Sequence, residues 1–156
     1  MTEVEVVRDV AAPVDVVWRR LVDWPNHGRW VPLTRVRVLT PRPDGVGARF
    51  VGRTAVGPLG FDDPMEVTAW RPPAGDVPGR CDVVKQGRVL LGSAFFEVAA
   101  RPGGGATVRW GEDVEVAPAR LTRPFAPLTR LVTRLLFGVV LRRLAAELAA
   151  EEASRG

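Results

Sequence analysis

The chain has 156 residues, of which 46% are apolar and 26% are charged, a composition typical of a globular protein. This length suits one domain, and we predict a single domain over residues 1–156. The formal net charge is +4, almost all of the basic residues are arginines, and they are scattered over many segments. We therefore expect no nucleic-acid partner.

The cysteine count and the N-terminus bear on the compartment. Cys81 is the only cysteine, which rules out an internal disulfide and is compatible with a reducing environment. The first residues lack the basic, apolar and small-residue order of a signal peptide, and no apolar run approaches the roughly 20 residues that span a bilayer. We expect a cytoplasmic protein.

The first 30 residues predict a strand followed by two short helices. Alternating Val4 and Val6 indicate a strand over residues 3–9. Pro13 suits the first turn of a helix, which we expect to end near Trp24 because Pro25 disfavours a helical residue before it. A second helical turn should follow. The apolar face of the first helix consists of Val14, Val17, Trp18, Leu21 and Val22.

The middle of the chain has the alternation and turn signals of β-strands. The predicted strands cover residues 34–40, 47–54, 61–71, 80–86, 88–100 and 106–117. Their short connections favour antiparallel neighbours. With the first strand, they predict a seven-stranded antiparallel sheet.

The last segment predicts a helix from about residue 124 to about residue 150, roughly 40 Å long. It has two apolar stripes half a turn apart. The first contains Leu128, Leu131, Val132, Leu135 and Val139, and the second contains Phe137, Leu141, Leu144 and Leu148. We expect a kink at Gly138 to turn both stripes inward. A dimer contact is the next alternative, and contact of arginines 123, 130, 134, 142 and 143 with an anionic membrane is the third.

Turn geometry predicts which residues share the inner face of the sheet. A two-residue turn at Gln86-Gly87 would place Lys85 opposite Arg88 and Val83 opposite Leu90. A turn centred near Gly103 would place Phe96 opposite Trp110 and Ala94 opposite Glu112. The same turn geometry on the neighbouring strands pairs Phe50 with Met65 and Ala48 with Val67. It places four further residues on the inner face of the sheet: Gly52, Thr54, Phe61 and Asp63.

The order of these elements and motifs resembles one superfamily. They are a strand, Ala12-Pro13 opening a helix that contains Val17-Trp18, then Asp23-Trp24-Pro25 with Arg29-Trp30, six strands including residues 104–110, and a long C-terminal helix. This pattern is similar to the START/Bet v 1-like superfamily, also written SRPBCC, and within it to the polyketide cyclase/dehydrase-type group of bacterial proteins. The resemblance covers essentially the whole chain. It implies an α+β helix-grip fold, in which a seven-stranded antiparallel sheet wraps around the C-terminal helix.

The resemblance also implies a ligand cavity between sheet and helix. We expect a hydrophobic or aromatic small molecule there, lipid-like or polyketide-like, with no cofactor and no metal, in a monomer or a homodimer. Polyketide cyclisation or dehydration is the alternative function, and a lipid carrier or protein-interaction module is a further one. The predicted ligand-binding residues are Phe50, Met65, Val67, Val83, Arg88, Leu90, Phe96, Trp110, Glu112, Leu135 and Val139.

Three residues are candidates for proton transfer. Glu112 is a carboxylate on an otherwise apolar stripe, where burial raises its pKa unless an arginine pairs with it. Asp63 either faces the cavity or belongs to a turn with Asp62. His27 has an ordinary pKa near neutrality, which suits a general base, but its position between helix and strand favours an exposed loop residue. Lys85 and Arg88 either bind an anionic group at the rim or are solvated hairpin charges.

Overall fold

The computed structural model describes residues 2–156, and its β-strands form one sheet. The sheet has seven strands in the order β1-β7-β6-β5-β4-β3-β2, and each neighbouring pair is antiparallel. The strands are β1 Thr2–Val10, β2 Thr34–Val38, β3 Arg49–Val56, β4 Leu59–Arg71, β5 Gly79–Gln86, β6 Leu90–Ala100 and β7 Ala106–Val116. The predicted seven-stranded antiparallel sheet is confirmed.

The helices lie before β2 and after β7. The first group is α1 Val14–Leu21, a 3₁₀ turn Trp24–Asn26 and α2 His27–Trp30. The second is α3 Ala119–Thr122, a 3₁₀ turn Arg123–Phe125 and α4 Ala126–Arg155. The sheet curves around α4, with the short helices at its side. The predicted α+β helix-grip fold is therefore confirmed.

Strand alternation sorts the sheet residues as the sequence predicts. Phe96 pairs with Trp110, Ala94 with Glu112 and Phe50 with Met65, as expected. Along β5 and β7 the inner residues are buried and most residues between them are half-buried. The inner face therefore supplies the core, since alternate side chains of a strand point to opposite faces.

The connection between β5 and β6 differs from the prediction. Lys85 pairs with Gly92 and Val83 with Ala94, four residues beyond the expected partners Arg88 and Leu90. The last paired residues are Gln86 and Leu91, so the connection is a four-residue loop instead of a two-residue turn. Because a shift of four is even, every side chain keeps its predicted face. The exception is Arg88, which lies in the loop and is exposed.

The C-terminal helix buries one apolar stripe and exposes the other. Val140, Leu141, Leu144 and Leu148 are fully buried, whereas Leu128, Leu131, Val132 and Leu135 are exposed. The expectation that a kink at Gly138 turns both stripes inward is wrong, because these residues of the first stripe stay exposed. Two stripes on opposite sides of a helix cannot both face one sheet unless the helix bends, and α4 runs without interruption from Ala126 to Arg155.

The length and composition of the helical segment Ala119–Arg155 would allow it to cross a membrane. In this fold it is instead the core helix of the domain, because its C-terminal half packs into the hydrophobic core with α1 and the sheet. α1 presents the predicted face to that core, with Val17, Trp18 and Leu21 buried.

Candidate ligand-binding site

A cavity of about 290 Å³ lies between the inner face of the sheet and the N-terminal half of α4. Its walls are mostly apolar and aromatic, and the helix contributes Thr129, Thr133, Leu136 and Phe137. Trp110 is stacked on Phe137, with ring centroids 5.1 Å apart. Trp24 is stacked on Phe50, with ring centroids 4.1 Å apart. These aromatic pairs connect the sheet to the helices around the cavity.

The structure brings most of the sequence-predicted residues to this cavity. Phe50, Met65, Val83, Leu90, Phe96, Trp110 and Glu112 line it, together with Asp63, Lys85 and His27. Four predicted ligand-binding residues do not line it. Val67 is buried in the core, Val139 is half-buried, and Arg88 and Leu135 are exposed.

Three ionisable side chains, which we call the ionisable cluster, face the cavity from the sheet: Asp63, Lys85 and Glu112. Each is less than a tenth exposed. Lys85 Nζ donates a hydrogen bond of 2.6 Å to Asp63 Oδ2, which makes a buried ion pair. The second carboxylate oxygen of Asp63, Oδ1, is buried without a hydrogen-bond partner within residues 2–156.

Small residues make space for the ionisable cluster. On one neighbouring strand Asp63, Lys85 and Glu112 pair with Gly52, Gly92 and Ala94, whereas on the other side Lys85 pairs with Met65 and Glu112 with Val4. A side chain opposite a glycine or alanine has a free volume beside it, because cross-strand Cβ atoms are only about 5 Å apart. Each member of the ionisable cluster therefore has a small residue beside it on one side.

Burial and mutual attraction shift the pKa values within the cluster. Burial raises the pKa of Glu112 above its ordinary value, and the nearby Lys85 ammonium opposes that rise only in part. For Lys85, burial alone would lower the pKa, but attraction to Glu112 and Asp63 outweighs it and the pKa lies above its ordinary value. The cluster thus combines a charged ammonium with a carboxyl group that holds its proton to higher pH than usual.

His27 is buried at the cavity, which corrects the expectation of an exposed loop residue. Its Nε2 lies 2.6 Å from the backbone oxygen of Leu21, and the rings of Trp24, Trp30 and Trp110 lie 5.3 to 5.7 Å from its own. Burial lowers the pKa of His27, which favours the neutral imidazole. If Nε2 donates its proton to Leu21, the lone pair is on Nδ1.

Sequence reasoning missed a polar network that ties α4 to the short helices. Arg20 pairs with Glu147 and Glu151, Arg29 lies 3.2 Å from Glu147, and Trp30 Nε1 donates to Glu147 at 2.8 Å. These residues are more than 110 positions apart in the chain, so no local pattern shows the contact. The only signal is a set of glutamates at a helix C-terminus, where the helix dipole does not favour them.

The residues between 2 and 156 contain no group of three His, Cys, Asp or Glu side chains placed to hold a metal ion. The site instead combines a mostly apolar cavity, a buried ion pair, a buried carboxyl group with a raised pKa and a buried imidazole with a lowered pKa. These features define a helix-grip domain with a mostly apolar cavity that contains a small polar patch.

The chain belongs to the family described as polyketide cyclase / dehydrase and lipid transport, whose model matches residues 1–149. No match was found among curated proteins.

Solved structures share the fold at low sequence identity. TTHA0849 from Thermus thermophilus has a TM-score of 0.74 at 15% identity, with 96% of this chain and 98% of that one covered. The di-domain ARO/CYC StfQ from the steffimycin biosynthetic pathway has a TM-score of 0.72 at 16% identity, with 98% of this chain and 52% of StfQ covered. A START superfamily protein from Mycobacterium smegmatis has a TM-score of 0.60 at 18% identity, with 89% and 97% covered. At these identities the likeness concerns the fold.

Proposed function

We propose that the protein binds a small hydrophobic or aromatic molecule that carries a carbonyl or hydroxyl oxygen. The observation that supports this most is the ionisable cluster of Asp63, Lys85 and Glu112 on the floor of an otherwise apolar cavity. Ligand sites typically combine apolar walls with a few polar groups that orient the ligand. The volume of about 290 Å³ lies near the lower limit of such sites, so the ligand is about one or two rings or a short chain in size.

The ligand's oxygen would bind at the cluster and its rings would lie against Trp110 and Phe96. Glu112 offers a proton for a hydrogen bond to a carbonyl oxygen, since its raised pKa keeps it protonated to higher pH. Lys85 offers a charged donor held in place by Asp63. A hydrogen bond to a charged group contributes about 1.5–3 kcal/mol, which is roughly 10-fold to 100-fold in affinity.

We test this proposal with a pair of probes that differ in one oxygen, 2-tetralone and tetralin. Isothermal titration calorimetry measures the affinity of each probe, and the ketone and the hydrocarbon have the same ring skeleton. We expect the ketone to bind at least tenfold more tightly. Equal affinities would show that the ionisable cluster does not contribute to ligand binding, and no detectable binding of either probe would contradict the proposal. Native mass spectrometry of freshly purified protein would then identify the ligand that co-purifies.

A variant that fills the cavity gives a second test of ligand binding. A Cβ atom on Gly52 would meet only Thr34 Cγ2 at 3.6 Å and Met65 Cε at 3.9 Å, so a side chain fits there and extends into the cavity. Gly52→Val should weaken 2-tetralone binding about tenfold or more while the protein stays folded. Thr68→Val, an exposed position on β4, is the control and should bind as the wild type does.

The second candidate function is proton transfer on a bound ketone, as cyclisation and dehydration reactions require. The buried Glu112 beside the Lys85–Asp63 pair favours it, because perturbed carboxyl groups in a cavity are typical of acid–base sites. In this reaction one carboxylate would remove a proton from the carbon next to the carbonyl. Glu112 or Lys85 would donate a hydrogen bond to the enolate oxygen, and the proton would then return to carbon.

Deuterium exchange at the carbons next to the 2-tetralone carbonyl, followed by NMR in D₂O, measures this transfer. Turnover should fall at least tenfold in Glu112→Gln and in Asp63→Asn while 2-tetralone still binds. If wild type and both variants exchange deuterium at the same rate, the proton-transfer function is contradicted and only the binding function remains supported.

A further inference from the structure

An apolar surface on the outside of the C-terminal helices is not covered by the rest of the protein. Its six side chains, which we call the exposed apolar face, are each between 54% and 70% exposed. They are Leu121, Phe125, Leu128, Leu131, Val132 and Leu135. Only 17% of the most apolar 18-residue stretch of this helical segment is buried. A contiguous apolar surface of this kind is typical of an interaction site.

The charged residues in the part of this helical segment that carries the exposed apolar face are all basic. Residues 117–146 contain six arginines and no aspartate or glutamate. On a helix of 3.6 residues per turn, Arg134 and Arg143 fall at opposite edges of the exposed apolar face, and Arg142 continues it toward the C-terminus. Within residues 2–156 none of the six forms an ion pair, although Arg143 donates a hydrogen bond of 3.1 Å to the backbone oxygen of Trp30. The surroundings therefore complement a negatively charged partner.

The face also lies at the mouth of the cavity. α3 and the start of α4 follow the C-terminal end of β7, at the same end of the strands as the hairpin between β3 and β4. At that end Leu33, Val56 and Leu59 are more than 60% exposed. Thr129 and Thr133, on the opposite side of α4 from Leu131 and Leu135, line the cavity. Exposed apolar residues thus flank the opening from both the sheet and the helix.

We propose that the exposed apolar face docks on an anionic lipid bilayer, with the cavity mouth against the membrane. Apolar side chains would enter the interface, and the arginines would reach the phosphate groups of the lipids. A second copy of the chain fits less well, because a twofold contact would place the same arginines against each other. Docking itself does not require the proposed ligand binding, but it would let an apolar ligand pass between bilayer and cavity without crossing water.

The test is sedimentation of the full-length protein with sucrose-loaded vesicles. One set contains phosphatidylcholine alone and the other contains phosphatidylcholine with phosphatidylglycerol at 7:3. We expect binding to the anionic vesicles to be at least tenfold stronger, and to fall when the salt concentration is raised to 0.5 M.

Two matched pairs of variants separate the apolar and charged contributions. Leu128→Ser/Leu135→Ser and Arg123→Gln/Arg134→Gln/Arg142→Gln should each reduce vesicle binding at least tenfold. The control for the leucine variant is Val77→Ser, an exposed apolar residue in the connection between β4 and β5. The control for the arginine variant is Arg8→Gln/Arg37→Gln/Arg71→Gln, which changes three exposed arginines elsewhere on the protein. The controls should bind as the wild type does. All these positions are exposed, so circular dichroism should show folded protein.

Three outcomes would overturn the proposal. The first is no sedimentation with either kind of vesicle, and the second is equal binding to both kinds that does not change with salt concentration. The third is a concentration-dependent dimer that Leu128→Ser/Leu135→Ser abolishes, in a protein that does not bind vesicles. Binding of 2-tetralone is measured in parallel in the same variants. Because these residues do not line the cavity, loss of docking with retained 2-tetralone binding would leave the proposed ligand-binding function standing.

Discussion

The Lys85–Asp63 ion pair is of a kind that is uncommon in protein interiors. Both side chains are nearly fully buried, and removing two charges from water costs several kcal/mol per ion before their attraction returns part of it. A buried pair is therefore weak support for stability, and apolar residues of similar size would often do as well. Its position on the cavity floor, beside Glu112, favours recognition of a polar ligand group as the reason for it.

Breaking this pair should destabilise the protein more than replacing it. Lys85→Met leaves Asp63 buried without its cation, and we expect the free energy of unfolding to fall by about 3–5 kcal/mol. The double variant Asp63→Leu/Lys85→Met removes both charges and should recover most of that loss. Urea denaturation measures both.

The outer face of the sheet offers a control for this comparison. Arg53 lies 3.3 Å from Asp62 on the neighbouring strand, and both side chains are at least half exposed. Arg53→Met should therefore change the free energy of unfolding by only about 0–1 kcal/mol. A double variant as unstable as Lys85→Met would show that the loss comes from packing of the lysine side chain instead of from the charge of Asp63.

At the scale of single elements, the sequence predicts which face a strand residue occupies better than where strands begin. Alternation has a period of two, so the inner positions of Lys85 and Leu90 survive the four-residue error in the β5–β6 connection. That error arises because Gln86-Gly87 has the sequence of a two-residue turn, whereas pairing stops at Gln86 and Leu91.

Helix periodicity is less informative for α4. Its two apolar stripes are equivalent in the sequence, and only contact with the sheet and the short helices decides that Leu141 and Leu144 are buried and Leu135 is not. The burial of His27 has a similar origin. It depends on Trp24, Trp30 and Trp110, and Trp110 belongs to a strand more than 80 residues away. Such long-range packing leaves no local pattern, so the fold could be predicted but only part of the site could.

In the whole molecule, α4 divides into two halves with different surroundings. The C-terminal half is held by its buried leucines and by the contacts of Glu147 with Arg20 and Trp30. The N-terminal half lies over the cavity on one side and exposes apolar residues on the other. We therefore expect the N-terminal half of α4 to open locally more readily than the C-terminal half, since local opening there breaks fewer buried contacts.

The pH dependence of global stability should separate His27 from Glu112, because their pKa shifts have opposite signs. The pKa of His27 lies below its ordinary value of 6.5, so below about pH 6.5 the unfolded chain binds a proton that the folded protein does not. The stability that neutral His27 provides is therefore complete above pH 6.5 and is lost as the pH falls. The pKa of Glu112 lies above its ordinary value of 4.5, so its contribution is present below pH 4.5 and is lost as the pH rises through its folded pKa.

Urea unfolding between pH 4.5 and 9 measures these two contributions. His27→Gln, whose amide still donates to the Leu21 oxygen, should flatten the loss of stability on the acid side. Glu112→Gln should flatten the loss that follows as the pH rises. If the acid side keeps its slope in His27→Gln, the slope comes from other groups, and the buried imidazole does not contribute to the pH dependence of stability.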